Sequence, residues 1–475
     1  MTVSDFYKAL KEKFPFEPTT SQDITLQKLA AFVLDDAAEE IFLLKGYAGT
    51  GKTTLIGTLV NSLWKAKKKF SLTAPTGRAA KVITNYSNQE ASTIHRKIYL
   101  PKNERGTGVT FSLKQNKQRD TIFLVDEASM ISDVGGDSKL FENGSLLDDL
   151  VQYVYSGKGC KLILIGDTAQ LPPVKMQLSP ALDEKLLRLQ YHKEIVHVEL
   201  NEVVRQSLQS DILRNATRIR EYIEDELYDA FHFSLTGKKD LERLSTGQDI
   251  MDAIEDAYRT EGHEETTFIV RSNKRANQYN VQIRSRILFK EEEVAVGDYL
   301  MVVKNNYFWV KPTSDAGFIA NGDLIEILQI YSFKELYGFR FAKVSVRMVD
   351  YPKMASFDTT ILLDTLTSNS PSLTYEESNA LYLEVQKDYA DEKSNYKKYM
   401  GVKKSPYFNA LQVKFSYAVT CHKSQGGQWS KVFVEQPYLP NGMDKDYLRW
   451  LYTAITRAKD KLYLIGFKDD MFEEV

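Results

Sequence analysis

The stretch Ile41-Phe42-Leu43-Leu44-Lys45-Gly46-Tyr47-Ala48-Gly49-Thr50-Gly51-Lys52-Thr53-Thr54 decides the fold. Four apolar residues suited to a buried strand run into G-x-x-x-x-G-K-[ST], and a helical pattern over Thr54–Lys65 follows. Strand, glycine-rich loop and helix in that order make a triphosphate cradle. The glycines let backbone N–H groups converge on phosphate oxygens, and the helix N-terminus adds its positive dipole end. Gly46, Ala48, Gly49, Thr50, Gly51, Lys52, Thr53 and Thr54 are therefore the candidate nucleotide-binding residues. Lys52 is placed to reach the β- and γ-phosphates and Thr53 to ligate Mg²⁺, so ATP and Mg²⁺ are the expected cofactors.

Further apolar runs at Phe70–Ala74, Ile122–Val125 and Leu162–Ile165 extend this into a doubly wound α/β pattern. Ligands in such sheets bind beyond the carboxyl ends of the strands. The second run ends in Asp126-Glu127, which assigns Asp126 to Mg²⁺ and Glu127 to orienting and deprotonating an attacking water. The third ends in Gly166-Asp167-Thr168-Ala169-Gln170, and the Gln170 amide is suited to sensing a γ-phosphate. The pattern repeats at Phe268–Val270, Val413–Val419, Val432–Glu435 and Leu462–Ile465, with helical segments around Leu213–Tyr222 and Tyr447–Tyr452. The repeat has no phosphate loop. Two α/β domains with one such loop imply one nucleotide held at their interface.

Two segments fit neither sheet. Lys97–Asp120 is polar and basic, with Gly106-Thr107-Gly108 at its middle, and is expected to form a β-hairpin. The segment 320–411 begins with short β-rich runs, Leu324–Ile330 and Phe341–Val349, which suggest a small barrel. Thr374-Tyr375-Glu376-Glu377 then forms a capping box. It opens a helical stripe through Leu381, Val385, Tyr389, Tyr396 and Met400, expected as one helix.

The 475 residues carry a net charge of −2, which argues against a nucleic-acid coat protein but permits a narrow basic channel. No apolar run has membrane-spanning length and the N-terminus has no signal-peptide pattern. Cys160 and Cys421 lack metal-ligand spacing, so the chain is expected to be cytoplasmic with reduced thiols.

The motifs and their order resemble superfamily 1 helicases of the 5′-to-3′ branch, the RecD-like, Dda-like and PIF-type proteins, over nearly the whole chain. The resemblance implies that Gln22, in Pro18-Thr-Thr-Ser-Gln22, reads adenine. It implies strand contacts from Pro75, Thr76, Arg78, Thr93 and His95 on the first domain, and from Thr420, His422, Lys423 and Ser424 on the second. Arg205 and Arg457 would be arginine fingers, stabilising charge on the transferring phosphoryl group. Gly426 and Gln428 would lie at the nucleotide; many relatives carry Glu near Gln428, where Gln retains an acceptor without charge. Val270-Arg-Ser-Asn273-Lys274-Arg275-Ala-Asn277 also matches the family's second domain, and Asn321-Gly322-Asp323 the entry to its SH3-type barrel.

The implied fold is two RecA-like, doubly wound parallel-sheet motor domains. The first would comprise residues 1–96 and 120–188, with a strand-separating hairpin at 97–119. The second would comprise 189–319 and 411–475, with an SH3-type barrel and helical insertion at 320–410. The implied function is an ATP-dependent DNA helicase moving 5′ to 3′ on single-stranded DNA. Its partners would be single strands, single/double-strand junctions and single-strand-binding, replication or repair proteins, and one composite site per chain suits a monomer. An RNA helicase or nucleic-acid-stimulated remodeller would use the same motor chemistry. A binding module with an ATP switch is disfavoured by Lys52, Glu127, Arg205 and Arg457. Phe308 and Trp309 are candidate base platforms, and no nuclease motif is present.

Overall fold

The computed structural model describes residues 1–35, 40–104, 108–132, 145–203, 210–237, 240–311 and 313–473, with backbone alone for 101–104 and 108–111. Six parallel strands form the first sheet, in the order Ala91–Thr93, Lys69–Ala74, Thr121–Val125, Lys161–Gly166, Glu40–Gly46 and Glu194–Leu200. Every residue of the two middle strands, Thr121–Val125 and Lys161–Gly166, is buried. Helices cover both faces of such a sheet, so its centre reads as continuous apolar sequence. The strand Glu194–Leu200 pairs along Glu40–Gly46, so the first motor domain extends past the expected boundary at 188. As an edge strand it is only partly buried and lacks the uninterrupted apolar run that marked the others.

The second sheet is also parallel, in the order Ala418–Thr420, Thr266–Val270, Trp429–Glu435, Ala458–Ile465 and Leu241–Leu244. Between its strands sits a closed five-stranded barrel of Tyr299–Val302, Leu324–Leu336, Phe339–Met348, Phe357–Leu362 and Leu411–Phe415. The barrel begins near 299, ahead of the expected 320, and takes its closing strand from beyond 410. The single run Val413–Val419 is thereby two strands, one completing the barrel and one joining the motor sheet. A continuous apolar run does not mark the point where the chain leaves one sheet for another.

The turn between those strands is fixed by Tyr417, whose hydroxyl donates to Asp298 at 2.9 Å. Asp298 is fully buried and also accepts from Arg284 Nη2 at 2.9 Å, Lys290 Nζ at 3.1 Å and the Ala295 N–H at 2.8 Å. This carboxylate ties the barrel to the motor domain.

The helical insertion has two helices, Tyr375–Lys387 and Asn395–Lys404, where one was expected. Thr374 and Glu377 form the capping box as read. Tyr389 lies between the helices, and a Cβ added at Gly401 would meet its ring at 2.5 Å. The hairpin pairs Tyr99–Glu104 antiparallel to Gly108–Leu113; the rest of its turn, 105–107, lies outside the described residues.

Removing one partner from a buried ion pair strands the other charges. Asp298→Ala is expected to destabilise the protein by about 3–5 kcal/mol, read as a lowered urea midpoint.

Candidate nucleotide and strand-binding site

The strand Glu40–Gly46 delivers the glycine-rich loop to the sheet's carboxyl edge, and the helix Lys52–Val60 starts immediately after it. Gly49 (φ 75°) and Gly51 (φ 85°) adopt the left-handed conformation that turns the loop. Gly46 leaves no room for a side chain: a Cβ there would lie 3.0 Å from both Leu200 Cβ and Thr50 Oγ1. Lys52 Nζ donates to the carbonyls of Gly46 (2.7 Å) and Tyr47 (2.8 Å), holding its charge over the loop. Thr53 is exposed at the helix start and Thr54 half-buried.

Gln22 is buried beside the loop. Its Nε2 donates to the Thr50 carbonyl at 3.0 Å, and its Oε1 accepts from the Thr19 N–H at 3.0 Å. It thus serves as a capping-box glutamine, with one N–H and one lone pair remaining for a base.

The acidic pair stands at the end of Thr121–Val125. Asp126 accepts from the Tyr86 hydroxyl at 2.7 Å and from the Glu127 N–H at 2.8 Å. Burial raises both carboxyls above their ordinary range. For Glu127 the charge of Arg457 opposes burial, and Asp126 reinforces it. Among the described residues no three His, Cys, Asp or Glu side chains cluster around a metal position. Thr53 and Asp126 instead offer one hydroxyl and one carboxylate, which fits Mg²⁺, an ion that takes its other oxygens from phosphates and water.

The second domain closes directly on this edge. Arg457 is buried, donates to the carbonyls of Thr453 (3.0 Å) and Gly427 (3.3 Å), and brings Nη1 to 4.0 Å from Glu127 Oε1. Tyr452, also buried, accepts from the Ala48 N–H and donates to Asp167 Oδ2, both at 2.8 Å. Its pKa is pushed well up, by burial first and Asp167 next, so the phenol stays a donor. The loop bearing Gln170 is held from the same side: the Leu171 N–H donates to Thr453 Oγ1 (2.8 Å), and the Leu171 carbonyl accepts from Gln425 Nε2 (2.7 Å). Gln170 Oε1 is buried with no hydrogen-bond partner among the described residues. Such an atom is costly unless something fills the bond, and a phosphate-bound water would. Tyr452 and Thr453 open the motif that ends in Arg457 but were given no role from the sequence, and Tyr86 escaped the sequence reading. Tyr452 had one signal, a phenol inside an apolar helical stretch, which usually needs a partner; Tyr86 had none.

The strand-contact candidates divide. Thr76 and Thr93 cap the helices Gly77–Ser87 and Ile94–Ile98, and Pro75 precedes the first, half-exposed. Arg78 stacks on Trp429 of the second domain, 3.9 Å from its centroid, which makes it an interdomain contact. Burial lowers the His95 pKa to about 4, so its ring is neutral at physiological pH; it packs against Tyr99 and Phe318. Thr420 is half-exposed and His422 exposed, while Lys423 donates to Asn321 Oδ1. Ser424 corrects the expectation: it is fully buried and its hydroxyl donates to the Cys421 carbonyl, so it supports the motif from within. Gly426 (φ 72°) allows close approach of the domains, since a Cβ there would lie 2.9 Å from Ala79 Cβ. Gln428 is exposed at a cavity of about 310 Å³ shared with Arg78, Tyr86, Trp429 and Lys459. Arg205 lies outside the described residues.

If Glu127 is the base that the sequence assigns, it must be ionised, and hydrolysis should rise with pH as it loses its proton. Arg457 holds that carboxyl down against burial. Arg457→Ala is therefore expected to move the acid limb of the kcat–pH profile to higher pH, whatever its effect on the plateau. An unmoved limb would assign the titration to another group.

A family model described as an AAA domain matches residues 26–232, and one described as a UvrD-like helicase C-terminal domain matches 415–465. The chain is 25% identical to the ATP-dependent DNA helicase Dda of Enterobacteria phage T4, over 89% of this chain and 93% of that protein. It is 25% identical to the uncharacterized protein R530 of Acanthamoeba polyphaga mimivirus, over 93% and 98%. It is 30% identical to the ATP-dependent RecD2 DNA helicase of Deinococcus radiodurans, over 40% of this chain and 23% of that one. A crystal structure of Pif1 helicase from Bacteroides with ADP-AlF3 and ssDNA overlays 94% of each chain, with a TM-score of 0.46 and 16% identity. The phosphate loop, acidic pair and buried arginine gather on one interdomain seam, and the matches to Dda, to RecD2 and to the two family models support the resemblance to superfamily 1 helicases of the 5′-to-3′ branch read from the motifs.

Proposed function

We propose that the chain is an ATP-dependent DNA helicase that steps 5′ to 3′ along a single strand and separates the duplex ahead. The observation that carries this is the seam itself: Tyr452, Thr453, Arg457 and Gln425 of one motor domain contact the phosphate loop, Glu127 and the Gln170 loop of the other. Polarity and the preference for DNA come from the family, whose Dda and RecD2 members are named DNA helicases. No observation favours the RNA alternative.

Lys52 would turn from the Gly46 and Tyr47 carbonyls to the β- and γ-phosphates of ATP. Mg²⁺, held by Thr53 and Asp126, would neutralise phosphate charge when bound. Glu127 would take the proton of the attacking water, and the free Oε1 of Gln170 would accept a hydrogen bond from it. Arg457 would exchange Glu127 for the phosphoryl oxygens, where it acts from across the cleft. Arg205 is assigned a parallel role through the family motif alone, as are adenine reading by Gln22 and a sugar contact by Gln428.

Coupling to the strand would run through Gln425. It shares a segment with Thr420, His422 and Lys423, and it grips the backbone beside Gln170. Closing and opening the seam would alternate the grip of the two domains. We assign the hairpin as the strand-separating pin and the barrel as SH3-type, with a single chain as the working unit. Among the described residues no helix is long and apolar enough to cross a membrane.

The test is strand displacement on duplexes with a 5′ or a 3′ overhang, with Lys52→Ala as the inactive control. Unwinding is expected from the 5′ overhang alone and only in the wild type. Equal unwinding from both overhangs would overturn the polarity, and an active Lys52→Ala variant would overturn the phosphate site.

A further inference from the structure

The helix Gly77–Ser87 meets three other parts of the molecule along its 11 residues. Near its start, Arg78 stacks on Trp429 of the second motor domain, 3.9 Å from the ring centroid. Ala79 Cβ lies 2.9 Å from where a Cβ on Gly426 would stand. The barrel docks on the same half of the helix. Lys81 Nζ donates to the Val349 carbonyl at 3.3 Å and lies 3.7 Å from Asp350 Oδ1, and a Cβ on Gly77 would meet the Tyr351 hydroxyl at 2.8 Å. In its last turn, the Tyr86 hydroxyl donates to Asp126 Oδ2 at 2.7 Å. Side chains on a helix lean toward its N-terminus, so a ring there reaches back to the sheet edge where Asp126 stands.

Asp126 has one fixed donor on each oxygen, Tyr86 on Oδ2 and the Glu127 N–H on Oδ1. Each oxygen keeps a lone pair for a metal ion or its water. The Glu127 bond is local and follows the end of the strand. The Tyr86 bond comes from another element, so the angle of the carboxylate depends on where that helix sits. The inner face of the helix, Ala79, Ala80 and Ile83, packs in the first domain's core, and close packing makes it shift as a body. Tyr86 lines the same cavity of about 310 Å³ as Arg78, Lys81, Gln428 and Trp429. The ring therefore stands where the first domain, the second domain and the barrel meet.

We infer that Tyr86 is a positioning residue for Asp126, and that the helix Gly77–Ser87 makes the grip on Mg²⁺ depend on the docking of the barrel and the second domain. This rests on the helicase reading, which gives Asp126 to the metal, and adds a path from closure to metal separate from the Tyr452 and Arg457 contacts. Docking fixes the helix, the helix fixes the ring, and the ring fixes the carboxylate. Withdrawal loosens all three and lets the metal leave with the spent nucleotide.

Binding of a fluorescent non-hydrolysable ATP analogue, mant-AMP-PNP, measured over a Mg²⁺ series, tests this without turnover. Hydrogen-bond partners of metal-binding groups contribute about 10–100-fold to metal affinity. Tyr86→Phe keeps the ring and removes the hydroxyl. It is expected to raise the Mg²⁺ needed for half-maximal tightening by about tenfold or more. Its Mg²⁺-free affinity, set by the phosphate loop, should match the wild type. Lys81→Met, at the barrel contact, is expected to raise the Mg²⁺ requirement by about fivefold. It should add nothing in the Tyr86→Phe background, because both changes act through one helix. An unchanged requirement in Tyr86→Phe would overturn the proposal. So would a lowered one, which would make the hydroxyl a competitor of the metal. Shifts that multiply in the double variant, or an equal loss of Mg²⁺-free binding in Tyr86→Phe, would also overturn it. Asp126→Asn with the wild-type Mg²⁺ requirement would instead overturn the metal assignment within the helicase reading.

Discussion

The hydroxyl of Tyr452 joins the two motor domains at the phosphate loop. It takes one hydrogen bond from the phosphate loop at Ala48 and gives one to Asp167, from a fully enclosed position. A buried phenol that loses such partners costs about 1–3 kcal/mol, enough to change the closed fraction of a two-domain cleft by one or two orders of magnitude. The neighbouring Thr453 and Arg457 extend the same helix end onto the Gln170 loop and Glu127. A single helix terminus in the second domain thus registers three separate parts of the first.

The seam tolerates little bulk. Gly426 and Gly427 each sit where a Cβ would press on a neighbour; at Gly427 the neighbours are Arg78 Nε and the Trp429 ring, both at 2.6 Å. Close approach excludes water, and exclusion raises the carboxyls of Asp126 and Glu127 while strengthening the pull of Arg457. The packing that brings the domains together therefore also sets the basicity of Glu127, the base we propose. Barrel and motor are bound just as firmly through Asp298, so a movement of the second domain carries the barrel with it.

Much of this was legible in the sequence because its signals are local. The phosphate loop, Asp126-Glu127 and the capping box at Thr374 are short patterns whose chemistry determines their geometry. The buried central strands are visible because both faces are covered. What escaped depends on distant partners. Glu194–Leu200 becomes a strand because Glu40–Gly46 offers it an edge. Tyr299–Val302 and Leu411–Phe415 belong to a barrel that exists only once the residues between them, 303–410, have folded back. Ser424 sits in a strand-contact motif, yet one turn of helix points its hydroxyl inward. Gln22 carried both readings, since Thr19-Thr20-Ser21-Gln22 is a capping box as well as an adenine-motif match.

The central claim is that carboxylate and guanidinium from opposite domains serve one hydrolytic event. Groups that act as a unit lose activity together and not multiplicatively. Single-turnover hydrolysis by Glu127→Gln, Arg457→Ala and the double variant measures this. The account predicts a double variant about as slow as the slower single one; losses that multiply would mean that the two residues work independently, and the shared pocket would be wrong.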